Sequence, residues 1–318
     1  MRGVKSGVAL AFAAALWSVS CGSPGAPTGP TAAPTPTPPP ATPLVVVVSI
    51  DGLRPDALSI ERTPNILEMA SRGTASWLAQ TIYPPITLPS HASMLTGYPP
   101  AVHGLTFANY TPDKGVSRVP TMFSYARAAG LRTAMVVGKD KFNHLKLEGS
   151  LDSFEIGTGD DDNVNRAIVQ LQAGADLLMV HLPDVDICGH ANQWMSAKYL
   201  QQVIEADQAV GRLRRALPPH GTMIVTADHG GLGPTHGVDR ASDMSIPWVI
   251  AGPEIRENVI VSRRVSTMDT AATALDVLGL RLAADAQGKP VVEAFMPTSA
   301  AARTAARNYP ELATLIGH

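Results

Sequence analysis

Short, continuous runs of apolar and β-branched residues alternate with longer amphipathic segments after residue 43. Continuous apolar runs of this length are typical of parallel strands that are buried on both faces. The pattern predicts strands at 44–50, 132–137, 176–182, 223–226 and 247–251, and helices at 64–72, 91–96, 120–129, 163–172, 197–217 and 268–278. This alternation favours a doubly wound α/β domain of three layers, with a mostly parallel central sheet.

The first 43 residues follow a different pattern. Arg2 and Lys5 precede an apolar run at 8–19, and small residues surround Cys21, which is the layout of a lipoprotein-type signal peptide. We therefore predict a signal peptide at 1–21 and a lipid on Cys21; an ordinary secretory peptide with an incidental cysteine is the alternative. The lipid would attach an exported protein peripherally to a membrane, in the periplasm or on the cell surface.

Residues 22–43 consist mainly of Pro, Thr, Ala and Gly, and they carry too little apolar surface to offset the entropy of ordering. They predict a disordered linker. The rest of the chain is predicted to form one domain at 44–297 and a helical C-terminal tail at 298–318, since 318 residues that are 45% hydrophobic support one large core.

The overall charge excludes one class of partner. A net charge of −2 and an isoelectric point near 6.5 give no positive field that would hold a polyanion. Bulk nucleic acid is therefore not an expected partner, whereas a small phosphorylated molecule, such as a single nucleotide, is compatible with this charge.

Three of the predicted strands end shortly before aspartates. Asp51 follows the first, Asp184 and Asp186 follow the third, and Asp228 follows the fourth. The carboxyl ends of parallel strands share one edge of a sheet, where ligands bind. Carboxylates that gather there repel each other unless cations neutralise them. The pattern therefore indicates a metal site.

Histidines accompany these aspartates. His190 comes four residues after Asp186, His229 directly follows Asp228, and His236 lies in the glycine-rich turn that comes next. A mixture of carboxylate and imidazole suits Zn²⁺ better than Mg²⁺. We predict two divalent ions, with Zn²⁺ favoured over Mn²⁺ or iron. One Asp-His pair alone is more often a surface turn, but the whole set is hard to explain as chance.

The segment TLPSHASMLTG at 87–97 predicts a turn that runs into a short helix, with Thr87 just before the first helical turn. A hydroxyl in that place lies at the positive end of the helix dipole, which favours an incoming anion. Thr is a poor nucleophile unless a base or a metal ion takes its proton. The alternative is that Thr87 only caps the helix.

These motifs together resemble the type I phosphodiesterase/nucleotide pyrophosphatase family of the alkaline phosphatase superfamily. The similarity covers about residues 44–280 and keeps the family's motif order. The motifs are SIDGLR at 49–54, TLPSHASMLTG at 87–97, PAVHG at 100–104, DICGH at 186–190, ADHG at 227–230, HG at 236–237 and IPWVIAGP at 246–253.

The resemblance implies an alkaline phosphatase-like fold and a metal-dependent phosphoester hydrolase of the phosphodiesterase type, which forms a phosphothreonine on Thr87. By the same resemblance, Asn109 would donate to a phosphate oxygen, although its spacing differs from the family's by one residue. Asp186 has the family's distance to His190, and Asp184 does not. One metal would be held by Asp186, His190 and His236, and the other by Asp51, Asp228 and His229.

Other candidates have less support. His91 and His103 lie inside family-like motifs, and we predict structural or supporting roles for them. His181 lies within a predicted strand, and we predict a hydrogen-bonded core residue. Cys188 lies between two predicted ligands, but the family has no ligand there, so we predict a bystander.

Alternative activities share the fold. A sulfatase would need a Cys/Ser-x-Pro-x-Arg motif, which Thr87-Leu-Pro-Ser does not supply, and a cofactor-independent phosphoglycerate mutase would need a large inserted domain. Phosphomonoesterase and phosphonate hydrolase activities stay open, because the same metals and Thr serve all of them and the surrounding loops decide selectivity. Nucleotide-binding members carry a long segment before the last His, whereas six residues separate His229 from His236 here, so nucleotide specificity also stays open. A non-catalytic, metal-binding surface lipoprotein is the alternative outside the enzymes.

Overall fold

The computed structural model describes Ser18 and residues 42–316. The predicted lipid site at Cys21, the predicted signal peptide apart from Ser18, and the predicted linker up to residue 41 lie outside the described residues. Within the described part, no helix is both long enough and apolar enough to cross a bilayer.

The centre of the domain is an eight-stranded sheet with the strand order β4-β3-β5-β1-β6-β7-β2-β8. Only β7 is antiparallel to its neighbours, so the sheet is mostly parallel, as predicted. The strands are β1 (Leu44–Ile50), β2 (Thr74–Gln80), β3 (Thr133–Val137), β4 (Ser153–Ile156), β5 (Leu177–Leu182), β6 (Gly221–Thr226), β7 (Ser245–Ala251) and β8 (Val259–Ile260).

Helices cover the sheet in two groups. One group contains α1, α5, α6 and α7, and the other contains α2, α4, α9 and α10, which gives the three predicted layers. The helices of the described residues are α1 (Pro64–Ser71), α2 (Thr87–Thr96), α3 (Pro100–His103), α4 (Met122–Ala128), α5 (Asp160–Gln172), α6 (Asp184–Asn192), α7 (Ala197–Ala216), α8 (Ala241–Met244), α9 (Asp269–Val277) and α10 (Ala300–Asn308).

Strand β1 occupies the middle of the sheet because its run of four valines suits burial on both faces. All of its residues are buried, and burying each valine contributes about 1.5–3 kcal/mol. Ser49 pairs with His181 of β5 on one side and with Thr226 of β6 on the other. The three strands therefore end at nearly the same level, and the segments that follow them leave from one edge.

Elements that lack a clean hydrophobic pattern were not predicted. In β2, Leu78 is exposed, and the register with β7 shifts between Ser76 and Ala79, so the apolar alternation is broken. Strand β4 is a four-residue strand at the sheet edge whose residues are half-buried or exposed. Helix α6 contains aspartates and glycine, and its hydrophobic pattern is weak.

The predicted C-terminal tail folds back onto the domain. Helix α10 begins after Ser299, whose hydroxyl accepts a hydrogen bond from the Ala302 amide, and it packs against α9. This contact buries Asp276 of α9. Its Oδ1 accepts a hydrogen bond from the Asn308 side chain at 3.4 Å, and its Oδ2 accepts none from the residues that the structure describes.

Replacing Asp276 with Asn is expected to stabilise the protein at alkaline pH. Burial raises the pKa of Asp276 to about 7, compared with roughly 3.9 in the unfolded chain. Between about pH 4 and pH 7 the folded state therefore keeps a proton on Asp276 that the unfolded chain has lost. The free energy of unfolding falls as the pH rises through this range. Asp276→Asn removes this cost. Its melting temperature should exceed the parent's by about 5 °C at pH 8 and differ little at pH 4. An equal difference at both pH values would contradict the expectation.

Candidate active site

The predicted metal ligands meet where β1, β5 and β6 end. Asp51 directly follows β1, Asp186 lies in the first turn of α6 after β5, and Asp228 comes two residues after β6. All three carboxylates are buried. His229 Nε2 lies 3.3 Å from both Asp51 Oδ1 and Asp228 Oδ2, and 4.0 Å from Asp186 Oδ1.

Helix α6 builds the other half of the cluster. Because Asp186 and His190 are four residues apart in a helix, they lie on one face, and His190 Nε2 is 3.4 Å from Asp186 Oδ1. His236 Nε2 approaches the same oxygen at 3.8 Å. The structure thus brings all six predicted ligands together.

Asp186 takes part in both ligand groups. Its ligand atom lies within 4.8 Å of those of His190 and His236, and also within 4.8 Å of those of Asp51 and His229. The family resemblance assigned Asp186 to the first group only. Asp228 joins the second group through its contact with His229.

The three cluster histidines make the same kind of hydrogen bond. Each donates its Nδ1–H to a backbone carbonyl: His190 to Pro234 at 2.9 Å, His229 to Gly230 at 2.8 Å and His236 to Pro85 at 2.8 Å. The Nε2 lone pair of each ring is therefore left for a metal ion. Burial, with a smaller contribution from His236, lowers the pKa of His229 to about 4, so this ring is neutral at pH 7.

The carboxylates present oxygens that no hydrogen bond satisfies. Asp51 Oδ1, Asp186 Oδ1 and Asp228 Oδ2 are buried without a partner within the described residues. Burial and the charge of Asp51 also raise the pKa of Asp228 well above its usual range. Unpartnered buried oxygens are costly unless a cation binds them. Together with three free Nε2 atoms, they form a donor set that fits divalent cations such as Zn²⁺.

Lys139 contacts this cluster, and sequence reasoning missed it. Its Nζ lies 2.6 Å from both Asp51 Oδ2 and Asp186 Oδ2. Burial lowers the pKa of Lys139, but these carboxylates outweigh burial and raise it above its usual range. The signal in the sequence was its place two residues after the predicted strand 132–137, at the same sheet edge as the aspartates.

His181 supports Asp51 from within β5. Its Nδ1 accepts a hydrogen bond from the Gly138 amide at 3.1 Å, so its Nε2–H donates to Asp51 Oδ2 at 2.9 Å. Burial opposes ionisation of Asp51, but Lys139 and His181 outweigh it and hold the pKa of Asp51 well below its usual range. His181 is thus a buried, hydrogen-bonded strand residue, and its partner is a predicted metal ligand.

Thr87 is the first residue of α2 and not a residue ahead of it. The helix cap is Ile86, so Thr87 already lies in the first turn of the helix. Thr87 Oγ1 lies 3.4 Å from His229 Nε2. The geometry therefore argues against Thr87 acting only as a helix cap, because its hydroxyl faces the cluster.

Two other histidines near α2 are already hydrogen-bonded through both ring nitrogens. His91 Nδ1 donates to the Thr87 carbonyl at 2.7 Å, and its Nε2 accepts from the Ser49 hydroxyl at 2.8 Å. His103 accepts the Leu105 amide at Nδ1 and approaches Ser93 Oγ at 3.1 Å through Nε2. Neither ring has a nitrogen free for a metal ion.

Trp194 packs beside the cluster histidines. Its ring centroid lies 5.0 Å from that of His190 and 5.8 Å from that of His236. Gly189 and Gly231 pack so closely on the indole that a Cβ atom would come within 2.7 Å and 2.4 Å of it, respectively. The close approach explains the glycine between Asp186 and His190.

Three residues considered from the sequence do not contact the cluster. Asn109 is exposed, and its side chain makes no hydrogen bond to a predicted ligand. Asp184 Oδ2 accepts a hydrogen bond from the Asp160 amide at 2.9 Å. Cys188 is a half-buried free thiol with Asn192 as its neighbour, 3.6 Å away.

Comparison with known proteins identifies the family of this chain. Residues 45–244 match the family model of type I phosphodiesterase/nucleotide pyrophosphatase. An uncharacterised pyrophosphatase/phosphodiesterase of Schizosaccharomyces pombe is 28% identical over 233 residues, which cover 64% of this chain and 47% of that protein. The chain thus spans about half the length of this curated relative.

Solved structures share the fold. An inactive form of murine ectonucleotide pyrophosphatase/phosphodiesterase 5, in complex with AMP, superposes with a TM-score of 0.65 at 16% identity and covers 76% of this chain and 96% of its own. A 2-O GAG sulfatase superposes with a TM-score of 0.63 at 15% identity, covering 79% and 73%. These neighbours confirm the predicted alkaline phosphatase-like three-layer fold. Since the family model spans more than half of the chain, the protein belongs to the type I phosphodiesterase/nucleotide pyrophosphatase family.

Proposed function

We propose that the protein is a metal-dependent phosphoester hydrolase that cleaves phosphodiesters, with Thr87 as nucleophile and two Zn²⁺ ions as cofactors. One observation carries the proposal: Thr87 Oγ1, at the start of α2, lies 3.4 Å from His229 Nε2. Carboxylate oxygens that accept no hydrogen bond from the described residues lie in the same cluster. A hydroxyl and an unsatisfied donor set in one place are what phosphoryl transfer to a side chain requires.

The ligand set divides into two groups. Asp186, His190 and His236 would hold one cation, and Asp51, Asp228 and His229 would hold the other. When bound, the cations supply positive charge that neutralises the nonbridging oxygens of the phosphate and lowers the pKa of the Thr87 hydroxyl.

The protein's own groups perform the bond changes. The Thr87 hydroxyl gives its proton to water and its oxygen attacks phosphorus, while the bond from phosphorus to the leaving-group oxygen breaks. That oxygen keeps the bonding electrons and takes up a proton from water. The resulting phosphothreonine is then hydrolysed by water, which restores the Thr87 hydroxyl. Because Thr87 is the first residue of α2, a phosphate bound there would lie near the positive end of the helix, and the Thr87 amide would donate to a nonbridging oxygen.

The proposal that the substrate is a small phosphoester rests on separate observations. The family match and the complex of the murine relative with AMP support a small phosphoester, and a nucleotide is one candidate. The sulfatase neighbours share only the fold, because Thr87 stands here without a Cys/Ser-x-Pro-x-Arg motif. Asn109 stays a proposed phosphate ligand on the family resemblance alone.

A phosphomonoesterase or phosphonate hydrolase is the second candidate. The turn between His229 and His236 contains only six residues. The His190 side chain keeps 46% of its surface exposed beside this turn. An open rim of this kind offers little surface for binding a nucleoside, and this favours small substrates.

Hydrolysis of bis-p-nitrophenyl phosphate, p-nitrophenyl phosphate and p-nitrophenyl phenylphosphonate by the purified chain tests both candidates. We expect the diester to give the highest kcat/KM, together with about two divalent ions per chain by elemental analysis. Faster turnover of the monoester or the phosphonate would favour the second candidate. Failure to hydrolyse any of the three substrates with metal bound would argue against an enzyme of this class.

A further inference from the structure

Lys139 contacts one carboxylate oxygen of each of two predicted metal ligands, Asp51 and Asp186. Its Nζ lies 2.6 Å from Asp51 Oδ2 and from Asp186 Oδ2, and only 16% of its side chain is exposed. The oxygens near His229 are the other ones, Asp51 Oδ1 and Asp186 Oδ1. Lys139 and a metal ion would therefore bind different oxygens of the same carboxylates.

We infer that Lys139 is a built-in counter-cation, which neutralises Asp51 and Asp186 when no divalent ion is bound and thereby stabilises the metal-free fold. The same charge opposes divalent ions in the cluster and weakens their binding. The second statement rests on the proposed metal site, whereas the first requires only the contacts that the structure shows.

Lys139 supplies positive charge to a cluster of buried carboxylates whose other ion-pair partners are histidines. The ion-pair partners of Asp51, Asp186 and Asp228 in the described residues are Lys139 and histidines. Lys139 is the one lysine or arginine among these partners, and a lysine carries its charge throughout the neutral pH range. Its Nζ contacts two of the three carboxylates at 2.6 Å. A buried carboxylate that loses its cation is strongly destabilising.

Bound metal would turn the electrostatic interaction of Lys139 with the cluster from attraction to repulsion. In the metal-free protein Lys139 is attracted by the carboxylates, but two divalent ions in the cluster would repel it. The charge of Lys139 therefore stabilises the metal-free protein more than the metal-bound protein. Binding of metal gives up part of that stabilisation, and the affinity for metal is lower as a result. Loss of Lys139 should therefore weaken the metal-free fold and tighten metal binding.

The test uses the full chain with Lys139→Met, which keeps the length of the side chain and removes its charge. In EDTA, the melting temperature should fall by roughly 5–10 °C relative to the parent. Zinc should then raise the melting temperature of the variant more than that of the parent. Zinc affinity, measured by competition with a chromophoric chelator, should increase by about tenfold or more. Lys139→Arg keeps the charge and should recover at least half of the lost melting temperature in EDTA.

Lys141 offers a matched control. It lies two residues further on, is half-buried, and interacts electrostatically with the same three carboxylates, but it makes no hydrogen bond or ion pair within the described residues. Lys141→Met should change the melting temperature in EDTA by less than about 2 °C, because no direct contact is lost. An effect as large as that of Lys139→Met would overturn the inference, since charge in general would then be responsible.

Two further outcomes would overturn it: an unchanged melting temperature of Lys139→Met in EDTA, or weaker zinc binding by this variant. If Lys139→Met does not fold without metal, the double variant with Asp186→Asn, which removes one of the carboxylates as well, should fold in EDTA. Failure of the double variant to fold would show that Lys139 acts through packing. A parent protein that hydrolyses no phosphoester would refute the proposed function and leave the EDTA result intact.

Discussion

Thr87→Ala is expected to reduce turnover of bis-p-nitrophenyl phosphate by on the order of 10³-fold or more, because removal of a nucleophile eliminates the covalent route. The metal content should stay close to that of the parent, since all six predicted ligands remain. Initial rates and elemental analysis on the same preparation measure the two quantities. Thr87→Ser keeps the hydroxyl and should retain a substantial part of the activity.

Thr96 provides the control for the loss of a buried threonine hydroxyl in the same helix. Its Oγ1 donates to the Ala92 carbonyl at 2.6 Å and has no contact with the cluster. Thr96→Ala should therefore keep turnover within a few fold of the parent's. Near-parental turnover by Thr87→Ala would remove Thr87 from the mechanism.

Asp228→Asn is expected to lower both metal content and turnover. Its Oδ1 accepts hydrogen bonds from the Gly52 amide at 3.1 Å and from the His229 amide at 2.9 Å, whereas Oδ2 accepts no hydrogen bond from any described residue. Asp228→Asn keeps an acceptor for both amides and replaces the free anionic oxygen with an NH₂ group, which cannot bind a cation. We expect loss of about one metal ion per chain and a fall in turnover of about 10³-fold, as EDTA should produce in the parent.

Asp276→Asn is the matched control for this substitution, because Asp276 is also a buried aspartate with one unpartnered oxygen but lies in α9, under α10. It should retain full metal content and turnover. If Asp228→Asn also kept its full complement of metal, Asp228 would not be a ligand.

The parts of the fold with a simple hydrophobic pattern could be predicted from the sequence. The bounds of β1 were predicted correctly because its continuous apolar run has one physical explanation, a strand buried on both faces. The meeting of Asp51, Asp186 and Asp228 followed from the rule that parallel strands deliver their carboxyl ends to one edge. Helix α2 begins four residues earlier than predicted, because Leu88 and Pro89 do not signal a helix start clearly.

Contacts between distant single residues could not be predicted. Lys139 lies 88 positions from Asp51 and 47 from Asp186, and a lone lysine after a strand belongs to no metal motif. Its pairing with both carboxylates depends on the order of β3, β5 and β1 in the sheet, which the sequence does not specify. Asn109 is exposed, and its role toward a phosphate oxygen stays a prediction from the family resemblance.

The indole of Trp194 has a consequence for how this sequence can change over evolutionary time. Gly189 and Gly231 come from separate segments, and each packs against the same ring. A larger residue at either position would need a smaller one at 194, and that replacement would remove the wall behind His190 and His236. We therefore expect positions 189, 194 and 231 to covary among relatives of this chain, so that a substitution at one is accompanied by substitutions at the others.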